Sequence, residues 1–367
     1  MTREYRPSSP WAAFVAQAGG LVAGFALDAA YGDPRRGHPV AGFGRFAAFL
    51  ERATYRPGRG AGAVFAGLAV AAPVLVGVAV QRATRRRPVL RGVAVAAGTW
   101  AVLGGRTLRR EATVMADALD AGDLDRARAR LGHLCGRDPA ALDAAGLARA
   151  TVESVAENTS DAVVAPLCWG AVAGLPGLLG YRAVNTLDAM VGHRSPRYAR
   201  FGTPAARLDD LANLAASRLT GLLIVAVAPL AGADRAQAWR VFRRDRADHP
   251  SPNAGQCEAA MAGALGVRLG GRNAYAGRTE TRPLLGDGPA PGADAARRAA
   301  RLSGLVGLAG VLCAVAAVGA GGALARILGR RGRPAGVGPP DRTGGRAAPP
   351  EEVPASRRRA VAAGRQR

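Results

Sequence analysis

Long uncharged runs alternate with polar segments along this chain. Four runs contain no Asp, Glu, Lys or Arg: residues 7–27, 60–81, 162–181 and 302–325. Each is close to or above the roughly 20 residues that a membrane-spanning helix needs. Two shorter uncharged runs, residues 92–105 and 219–233, fit a span, a re-entrant segment or a buried helix. The pattern predicts an all-α, polytopic membrane protein, with an Ala/Gly-rich soluble helical protein as the alternative.

The polar segments divide the chain into four regions. Residues 1–105 hold the first membrane helices and a Gly-Asp-Pro/His-Pro loop, which a short amphipathic helix follows. Residues 106–161 are predicted to form a small soluble segment of three helices, the last beginning at Asp138 and Pro139. Residues 162–325 alternate membrane helices with polar loops. Residues 326–367 are rich in Gly, Pro and Arg, so we expect a disordered tail.

The charge of the chain is strongly positive, with a formal net charge of +23 and no lysine. Nucleic-acid binding is not favoured, because the Arg residues are spread over loops between apolar helices and aromatics are only 5% of residues. Arg near the ends of membrane helices instead indicates topology signals and contact with anionic membrane lipid. The four cysteines lie in no CxxC motif and are predicted to be free.

Four polar clusters carry the candidate chemistry. They hold, in chain order, Asp33 and His38; Glu153, Glu157, Asn158 and Asp161; Asn185, Asp188, Arg194, Arg207, Asp209, Asp210 and Asn213; and His249, Ser251, Asn253 and Glu258. Taken singly, each cluster fits an ordinary turn or a solvated helix face. Acids and amides at the ends of membrane helices are nevertheless costly unless they face a protein cavity or a ligand.

The acids of the second cluster, Glu153, Glu157 and Asp161, have i, i+4, i+8 spacing, which predicts that all three lie near one helix face. Several carboxylates together can hold Mg²⁺, which prefers oxygen ligands and often bridges to phosphate. Arg residues among them can bind phosphates or carboxylates bidentately. The chain has no GxxxxGK[ST] loop, so any use of nucleotide requires a different phosphate site.

Five stretches of these clusters resemble the CobD/CbiB family of cobalamin biosynthesis, the membrane adenosylcobinamide-phosphate synthases. They are "GDPRRGHPV", "ESVAENTSDAVVAPL", "YRAVNTLDAMVGHR", "FGTPAARLDDLAN" and "HPSPNAGQCEAAMAGALGVRLGG". They fall between residues 27 and 277, which is most of the chain before the tail. The departures from the family pattern are small; one is Ala189, where the family often has Ser.

The resemblance implies an ATP-dependent amide-forming ligase. It would join a propionate carboxylate of the corrinoid adenosylcobyric acid to aminopropanol or aminopropanol phosphate, giving adenosylcobinamide or its phosphate. Because a carboxylate is a poor electrophile, ATP with Mg²⁺ is the expected activating agent. The location implied is the inner cell membrane, with the active site facing the cytoplasm and partner subunits of the pathway as possible neighbours.

Residue chemistry suggests roles for the four clusters within such a site. The candidates for metal binding or general base are Glu153, Glu157, Asp161, Asp188, Asp209 and Asp210, with the first three as the metal set. Arg194 and Arg207 are candidates for binding phosphate or propionate. The asparagines Asn158, Asn185 and Asn253, together with Asp33, His38, His249, Ser251 and Glu258, complete the predicted substrate site.

The topology of the spans bears on whether one site can form. If all six apolar runs cross the membrane, the third cluster lies on the opposite side from the second and fourth. Either residues 162–181 dip into the membrane and return, breaking at residues 174–177, or the clusters meet in a cavity inside the membrane. A membrane transporter or binding protein for an anionic metabolite is the second hypothesis, although no inverted repeat is visible in the sequence.

Overall fold

The computed structural model describes residues 10–34, 37–140, 142–193, 195–275 and 278–331. Helices make up most of this part of the chain, which confirms the predicted all-α class. They are α1 (Pro10–Tyr31), α2 (Pro39–Thr54), α3 (Arg59–Thr84), α4 (Pro88–Val102), α5 (Gly105–Asp120), α6 (Leu124–Leu131), α7 (Ala144–Thr159), α8 (Ala165–Leu187), α9 (Thr203–Val227), α10 (Arg235–Asp245), α11 (Ala254–Leu265) and α12 (Ala293–Arg331). Two π-helical turns, Ser160–Val164 and Asp188–Gly192, flank α8, and a short 3₁₀ turn, Ala228–Ala231, follows α9.

Six helical stretches are long and apolar enough to cross a membrane. They are Trp11–Tyr31, Arg59–Thr84, Pro88–Asp120, Ala144–Gly192, Thr203–Ala231 and Ala293–Ala323. They contain all of the runs 60–81, 92–105 and 162–181, and most of the described part of the runs 7–27, 219–233 and 302–325. The chain is therefore multi-pass in character, as the hydrophobic pattern predicts.

The fourth of these stretches folds back on itself at Gly174. This residue has φ 68° and ψ −146°, which only glycine adopts readily. A Cβ atom on Gly170 would lie 2.9 Å from Leu178 Cδ2, whereas a straight helix would separate these residues by about 12 Å along its axis. Trp169 and Gly177 are also in contact. The two halves of the segment therefore pack against each other as a helical hairpin. The break expected at residues 174–177 is confirmed.

Contacts between helices define two ends of the apolar bundle. At the end that we call the acid end lie the C-termini of α1 and α4, where Arg106 N donates to Asp28 Oδ2 at 3.2 Å, and the start of α12, where Gly304 contacts Arg109. At the opposite end, the apex end, Gly174 lies beside Gln17 of α1 and Gln81 of α3. Both arms of the hairpin start from the acid end.

Two apolar clusters explain why the helices pack this way. One joins α1, α4, α12 and both hairpin arms through residues such as Leu21, Val95, Leu167, Leu178 and Val311. The larger one lies at the acid end and combines α5, α6, α7, α10 and α11 with the start of α12. The acid end therefore has an apolar core of its own, formed mainly by helices shorter than a membrane span.

Some local expectations were wrong. The last helix of the 106–161 segment begins at Ala144, not at Asp138, because the Asp143 side chain caps it by accepting from Gly146 N at 2.7 Å. Asp138 instead accepts from Ala140 N within a turn. A two-stranded antiparallel sheet, β1 (Leu269–Tyr275) and β2 (Arg278–Leu285), interrupts the otherwise helical fold and had no clear sequence signal.

Residues 1–324 cluster as one unit and residues 325–367 as a second. Helix α12 continues to Arg331, so the predicted tail begins several residues later than residue 326. The rest of the tail, residues 332–367, lies outside the described residues. The proposed division of residues 1–325 into three regions stays a prediction.

Candidate active site

The two π-helical turns place acids at the mouth of the hairpin. Asp161 lies in the turn Ser160–Val164, before the entering arm, and Asp188 begins the turn Asp188–Gly192, after the returning arm. π-Helical turns are rare in proteins, but those that occur often lie at functional sites. One residue more per turn than in an α-helix changes the direction of the side chains around it. Helix α9 crosses beside them and supplies Asp209 and Asp210.

These acids surround a cavity of about 80 Å³, which we call the acid cavity. Its lining residues are Glu157, Ser160, Asp161, Asp188, Asp209, Asp210, Asn213, Ser217, Ser251, Asn253, Ala254 and Cys257. This volume is well below the roughly 300–1,000 Å³ of cavities that bind drug-sized ligands, so only small groups enter it. A metal ion or a small amine fits it, whereas a macrocycle does not.

Amide side chains hold the central carboxylates in place. Asn185 Nδ2 lies 3.4 Å from both Asp161 Oδ2 and Asp209 Oδ1, at the long limit of a hydrogen bond. Asn213 Nδ2 donates to Asp209 Oδ2 at 3.0 Å, and Tyr181 OH donates to Asn213 Oδ1 at 2.8 Å. The hairpin and α9 are therefore joined through one chain of polar contacts.

The fourth sequence cluster closes the cavity from the side of α11. Asn253 Nδ2 donates to the Asp210 carbonyl at 2.8 Å, and Ser217 Oγ donates to Asn253 Oδ1 at 3.0 Å. Ser251 Oγ accepts from the backbone N–H groups of Asn253 and Ala254 at 3.3 and 3.2 Å. The second, third and fourth sequence clusters thus meet at one place, which the hairpin makes possible.

A close backbone approach fixes the carboxylate of Asp188. A Cβ atom on Gly192 would lie 1.9 Å from Asp188 Oδ1 and 2.8 Å from its carboxyl carbon. No side chain fits in that space without moving the acid, so residue 192 must be glycine for Asp188 to keep this position.

Five carboxylates of the acid cavity form no ion pair with any Arg or His that the structure describes. They are Glu157, Asp161, Asp188, Asp209 and Asp210. The guanidinium charge of Arg182 acts on Asp161, and those of Arg282 and Arg137 act on Glu157. Asp161 nevertheless faces the like charges of Asp209, Glu157 and Asp188, and a bound cation would relieve that repulsion. The arrangement favours binding of a positively charged group.

The donor set fits Mg²⁺ in the mode that this ion usually adopts. Among the described residues, no three His, Cys, Asp or Glu side chains converge closely enough to hold a metal alone. Mg²⁺ keeps several waters and binds through one or two carboxylates plus phosphate oxygens, and it does not need such a cage. Asp161 and Asp209, which share the Asn185 amide, are the carboxylates best placed for this role.

Glu153, the first acid of the predicted metal face, lies elsewhere. Its side chain is buried and pairs with Arg137 through Oε2, while its Oε1 accepts from Gly270 N at 2.7 Å. It joins α7 to the loop after α6 and to β1, and it does not line the acid cavity. Only Glu157 and Asp161 of that predicted trio face the cavity.

A second buried polar cluster surrounds Glu258 on α11. His249 Nε2 lies 3.8 Å and Arg282 Nη1 4.0 Å from Glu258 Oε1, and Glu258 itself is 1% exposed. Burial, with the negative charges of Glu153 and Glu157 nearby, raises the pKa of Glu258 well above its usual range. Burial and the Arg282 charge lower the pKa of His249. A carboxylic acid beside a neutral imidazole is the expected state.

The remaining predicted residues that the structure describes lie outside the cavity. Asn158 Nδ2 donates to Ser154 O at 2.9 Å within its own helix. His38 caps α2 by accepting from Val40 N, and its Nε2 lies 3.6 Å from Asp33. Arg207 is exposed on α9, and Arg194 lies outside the described residues.

Several lining residues were missed by the sequence analysis as candidates. They are Ser160, Ser217 and Cys257, together with Tyr181 behind them, whereas Asn213 was already named in the third polar cluster. The Ser160 side chain is buried beside the Cys257 thiol. The available signal was the i, i+4 spacing from Asp209 to Asn213 to Ser217, which places three polar residues on one face of an apolar helix.

Known proteins that are similar to this chain share one description. A family model described as CobD/Cbib protein matches residues 21–303. The chain is 55% identical over 281 residues to the cobalamin biosynthesis protein CobD of Mycobacterium tuberculosis (strain ATCC 25618 / H37Rv). The matched region covers 76% of this chain and 89% of that protein. The cobalamin biosynthesis protein CobD of Geobacter metallireducens is 47% identical over 268 residues, which are 71% of this chain and 84% of that protein. The protein of the same name from Rhodobacter capsulatus is 44% identical over 292 residues, which are 76% of this chain and 91% of that protein. No solved structure matches the chain.

Proposed function

This chain belongs to the CobD/Cbib family of cobalamin-biosynthesis proteins, and on that premise we propose that it forms an amide bond. The bond would join a propionate carboxylate of adenosylcobyric acid to aminopropanol or aminopropanol phosphate. The observation that carries the proposal is the acid cavity, where acids from the family-like stretches surround a space that suits a small cation.

The small size of the acid cavity indicates that the amine or metal and the corrinoid bind at different parts of the site. At about 80 Å³ it can take an amine group or a metal ion but not a corrin ring. We therefore infer that the corrinoid lies over the mouth of the cavity and that only its propionate side chain enters. The α5–α7 and α10–α11 layer at the acid end would provide the surface for it.

The carboxylates are suited to receive the amine. An alkylammonium must lose a proton before its nitrogen can attack a carbonyl carbon, and a nearby carboxylate can accept that proton. Glu157, Asp188 and Asp210, for which the structure gives no hydrogen bond to the side-chain oxygens, are the candidates for this base. Asp161 and Asp209, oriented by Asn185 and Asn213, are the candidates for holding Mg²⁺.

Hydrogen-bond donors at the cavity wall could stabilise the oxygen of the attacked carbonyl. As the C–N bond forms, negative charge develops on that oxygen, and donors already oriented toward it lower the barrier. The Ser160 hydroxyl, buried in the cavity wall beside the Cys257 thiol, is the candidate for this role. When bound, ATP with Mg²⁺ would supply the activation that a carboxylate requires.

We place the protein in the inner cell membrane as a multi-pass protein with its acid end in the cytoplasm. The support is chemical: ATP is a cytoplasmic substrate, and the acid cavity lies at the acid end. Cysteine accessibility to a membrane-impermeant reagent tests this orientation, and labelling of an acid-end cysteine from the periplasmic side would contradict it.

The activity is tested by a turnover assay. Purified protein in detergent would be given adenosylcobyric acid, ATP, Mg²⁺ and either aminopropanol or its phosphate, and the product would be identified by mass. The amide product is expected, with faster turnover for one of the two amines. Uptake of corrinoid or amine into vesicles without any amide product would favour a transporter instead.

A further inference from the structure

A second cavity lies at the apex end of the bundle, away from the acid cavity. Its volume is about 640 Å³, within the range of small-molecule sites. It is lined by residues of α1, α3, α4, the hairpin apex and α12, namely Ala13, Phe14, Gln17, Gln81, Arg91 and Val172, together with smaller residues around Gly174 and Gly321. We call it the apex cavity.

Three polar side chains of the apex cavity have atoms with no hydrogen-bond partner among the described residues. They are Gln17 Oε1, Gln81 Oε1 and Arg91 Nε. Gln17 is only 5% exposed, and its Nε2 donates to Gly170 O at 2.7 Å. Because that bond fixes the amide orientation, the unpaired atom of Gln17 is a carbonyl oxygen, which is an acceptor.

An unpaired buried acceptor within an apolar bundle is costly, so the site favours a ligand that brings its own donors. The Arg91 guanidinium favours an anion beside it. A ligand that satisfies both has a phosphate for Arg91 and hydroxyl or ammonium groups for the two glutamine carbonyls. The shared chemistry is a phosphate ester with a hydrogen-bond donor.

The surroundings identify the source of that ester. Phe14, Val172 and Val318 supply apolar walls, and a Cβ atom on Gly321 or Gly322 would meet no atom within 4 Å, which leaves open space along α12. The link between α3 and α4 places the exposed residues Arg82, Arg85, Arg86 and Arg87 next to Arg91. Several guanidinium groups close together can bind the phosphate of an anionic lipid head group. A soluble phosphate ester has no acyl chains to bury against the apolar walls.

We propose that the apex cavity binds the head group and upper chains of an anionic glycerophospholipid whose head carries hydroxyl groups, such as phosphatidylglycerol. The phosphate lies against Arg91, and the head-group hydroxyls donate to Gln17 and Gln81. This site is independent of the amide-forming reaction, which is proposed for the acid cavity at the other end of the bundle.

The proposal is tested by native mass spectrometry of delipidated protein in detergent. The probes are phosphatidylglycerol, phosphatidylcholine and soluble glycerol 3-phosphate. The intact protein should bind phosphatidylglycerol at least tenfold more tightly than phosphatidylcholine, and glycerol 3-phosphate should not displace it. Equal binding of the two lipids would overturn the proposal, and displacement by glycerol 3-phosphate would make this a site for a soluble ester.

Variants separate the cavity from general charge attraction. Arg91→Gln should weaken phosphatidylglycerol binding at least tenfold, while Arg86→Gln, which removes the same charge from the same basic link without touching the cavity, should change it less than threefold. Gln81→Leu, an uncharged change in the cavity wall, should reduce the preference for the hydroxyl-bearing lipid. Equal losses in Arg91→Gln and Arg86→Gln, or no loss in Arg91→Gln and Gln81→Leu, would contradict the assignment.

Discussion

Glu153 and Asp161 belong to one short motif but lie in two different environments. Glu153 is buried against Arg137 and the backbone of Gly270, while Asp161 lines a cavity in which no ion pair is found among the described residues. The change of environment falls within α7, because Glu157, one turn after Glu153, already lines the cavity. The difference teaches that a carboxylate with a buried cation partner holds the fold together, and one among other acids is available for a ligand.

The largest effect is expected for the buried pair. Glu153→Gln removes the carboxylate that faces the buried Arg137 guanidinium, and breaking a buried pair from one side costs about 3 kcal/mol or more. For a chain of this size that corresponds to roughly 5 °C in Tm. Thermal melting in detergent checks it, and turnover per folded molecule should stay within about twofold of the wild type.

A loss of activity in Glu153→Gln with an unchanged Tm would contradict the structural role of Glu153. It would instead indicate that Glu153 belongs to the catalytic site. Asn158→Ala serves as a control on the same helix. Its amide bonds only within the helix, so this variant should change both readouts little.

A smaller effect is expected at Gly192, where the change acts on the acid cavity through the backbone. In Gly192→Ala the new Cβ would need the space of Asp188 Oδ1, which is 1.9 Å away, so the carboxylate must move. Turnover should fall at least tenfold, about 1.4 kcal/mol in barrier, if Asp188 works from its present position. Wild-type turnover in a folded Gly192→Ala protein would remove Asp188 from the site.

The matched control for that prediction is Gly132→Ala. An added Cβ at Gly132 meets no atom within 4 Å, and the residue lies at the end of α6 away from the cavity. Its turnover should equal that of the wild type, which shows that a glycine-to-alanine change is harmful only beside the acid.

The smallest effect concerns pH and the buried His249. Its pKa is lowered from 6.5 by burial and by the Arg282 charge, so below about pH 6.5 the unfolded chain binds a proton that the folded protein does not. Stability is therefore lost as the pH falls below that value, by up to about 1.4 kcal/mol for each pH unit. His249→Asn, in which the amide oxygen can still accept from Ser251 N, should lose less Tm than the wild type between pH 7.5 and pH 5.5. Equal losses in both proteins would contradict the neutral state of His249.

The hydrophobic pattern predicted the bundle because spans depend on local composition. The four uncharged runs appear within helices, and the hairpin break was visible because Gly174 and Pro176 both interrupt a regular helix. Bringing the second and third clusters to one end follows from that break. The spans and the hairpin break could be predicted because each depends on residues that are close together in the sequence.

The partition of the acids could not be predicted because it depends on distant residues. The partners of Glu153 lie 16 and 117 residues away, and one of them is a backbone N–H whose position β1 determines. Glu153 and Glu157 lie one turn apart on the regular helix α7, so their spacing predicts a shared face and cannot show that only the first has a buried cation partner. Gly270 and Gly271, both with positive φ, lie in a strand where glycine gives no β signal, so the sheet itself was also missed.

The most direct test of the acid cavity compares the Mg²⁺ dependence of turnover in Asp161→Asn and Glu157→Gln with that of the wild type. Both variants keep the side-chain shape and remove one charge. We expect each to lower turnover at least a hundredfold, about 2.7 kcal/mol in barrier, and Asp161→Asn to raise the Mg²⁺ concentration that gives half-maximal rate. Near-wild-type turnover with an unchanged Mg²⁺ dependence in both folded variants would contradict the account, since the cavity acids would then bind neither the metal nor the amine.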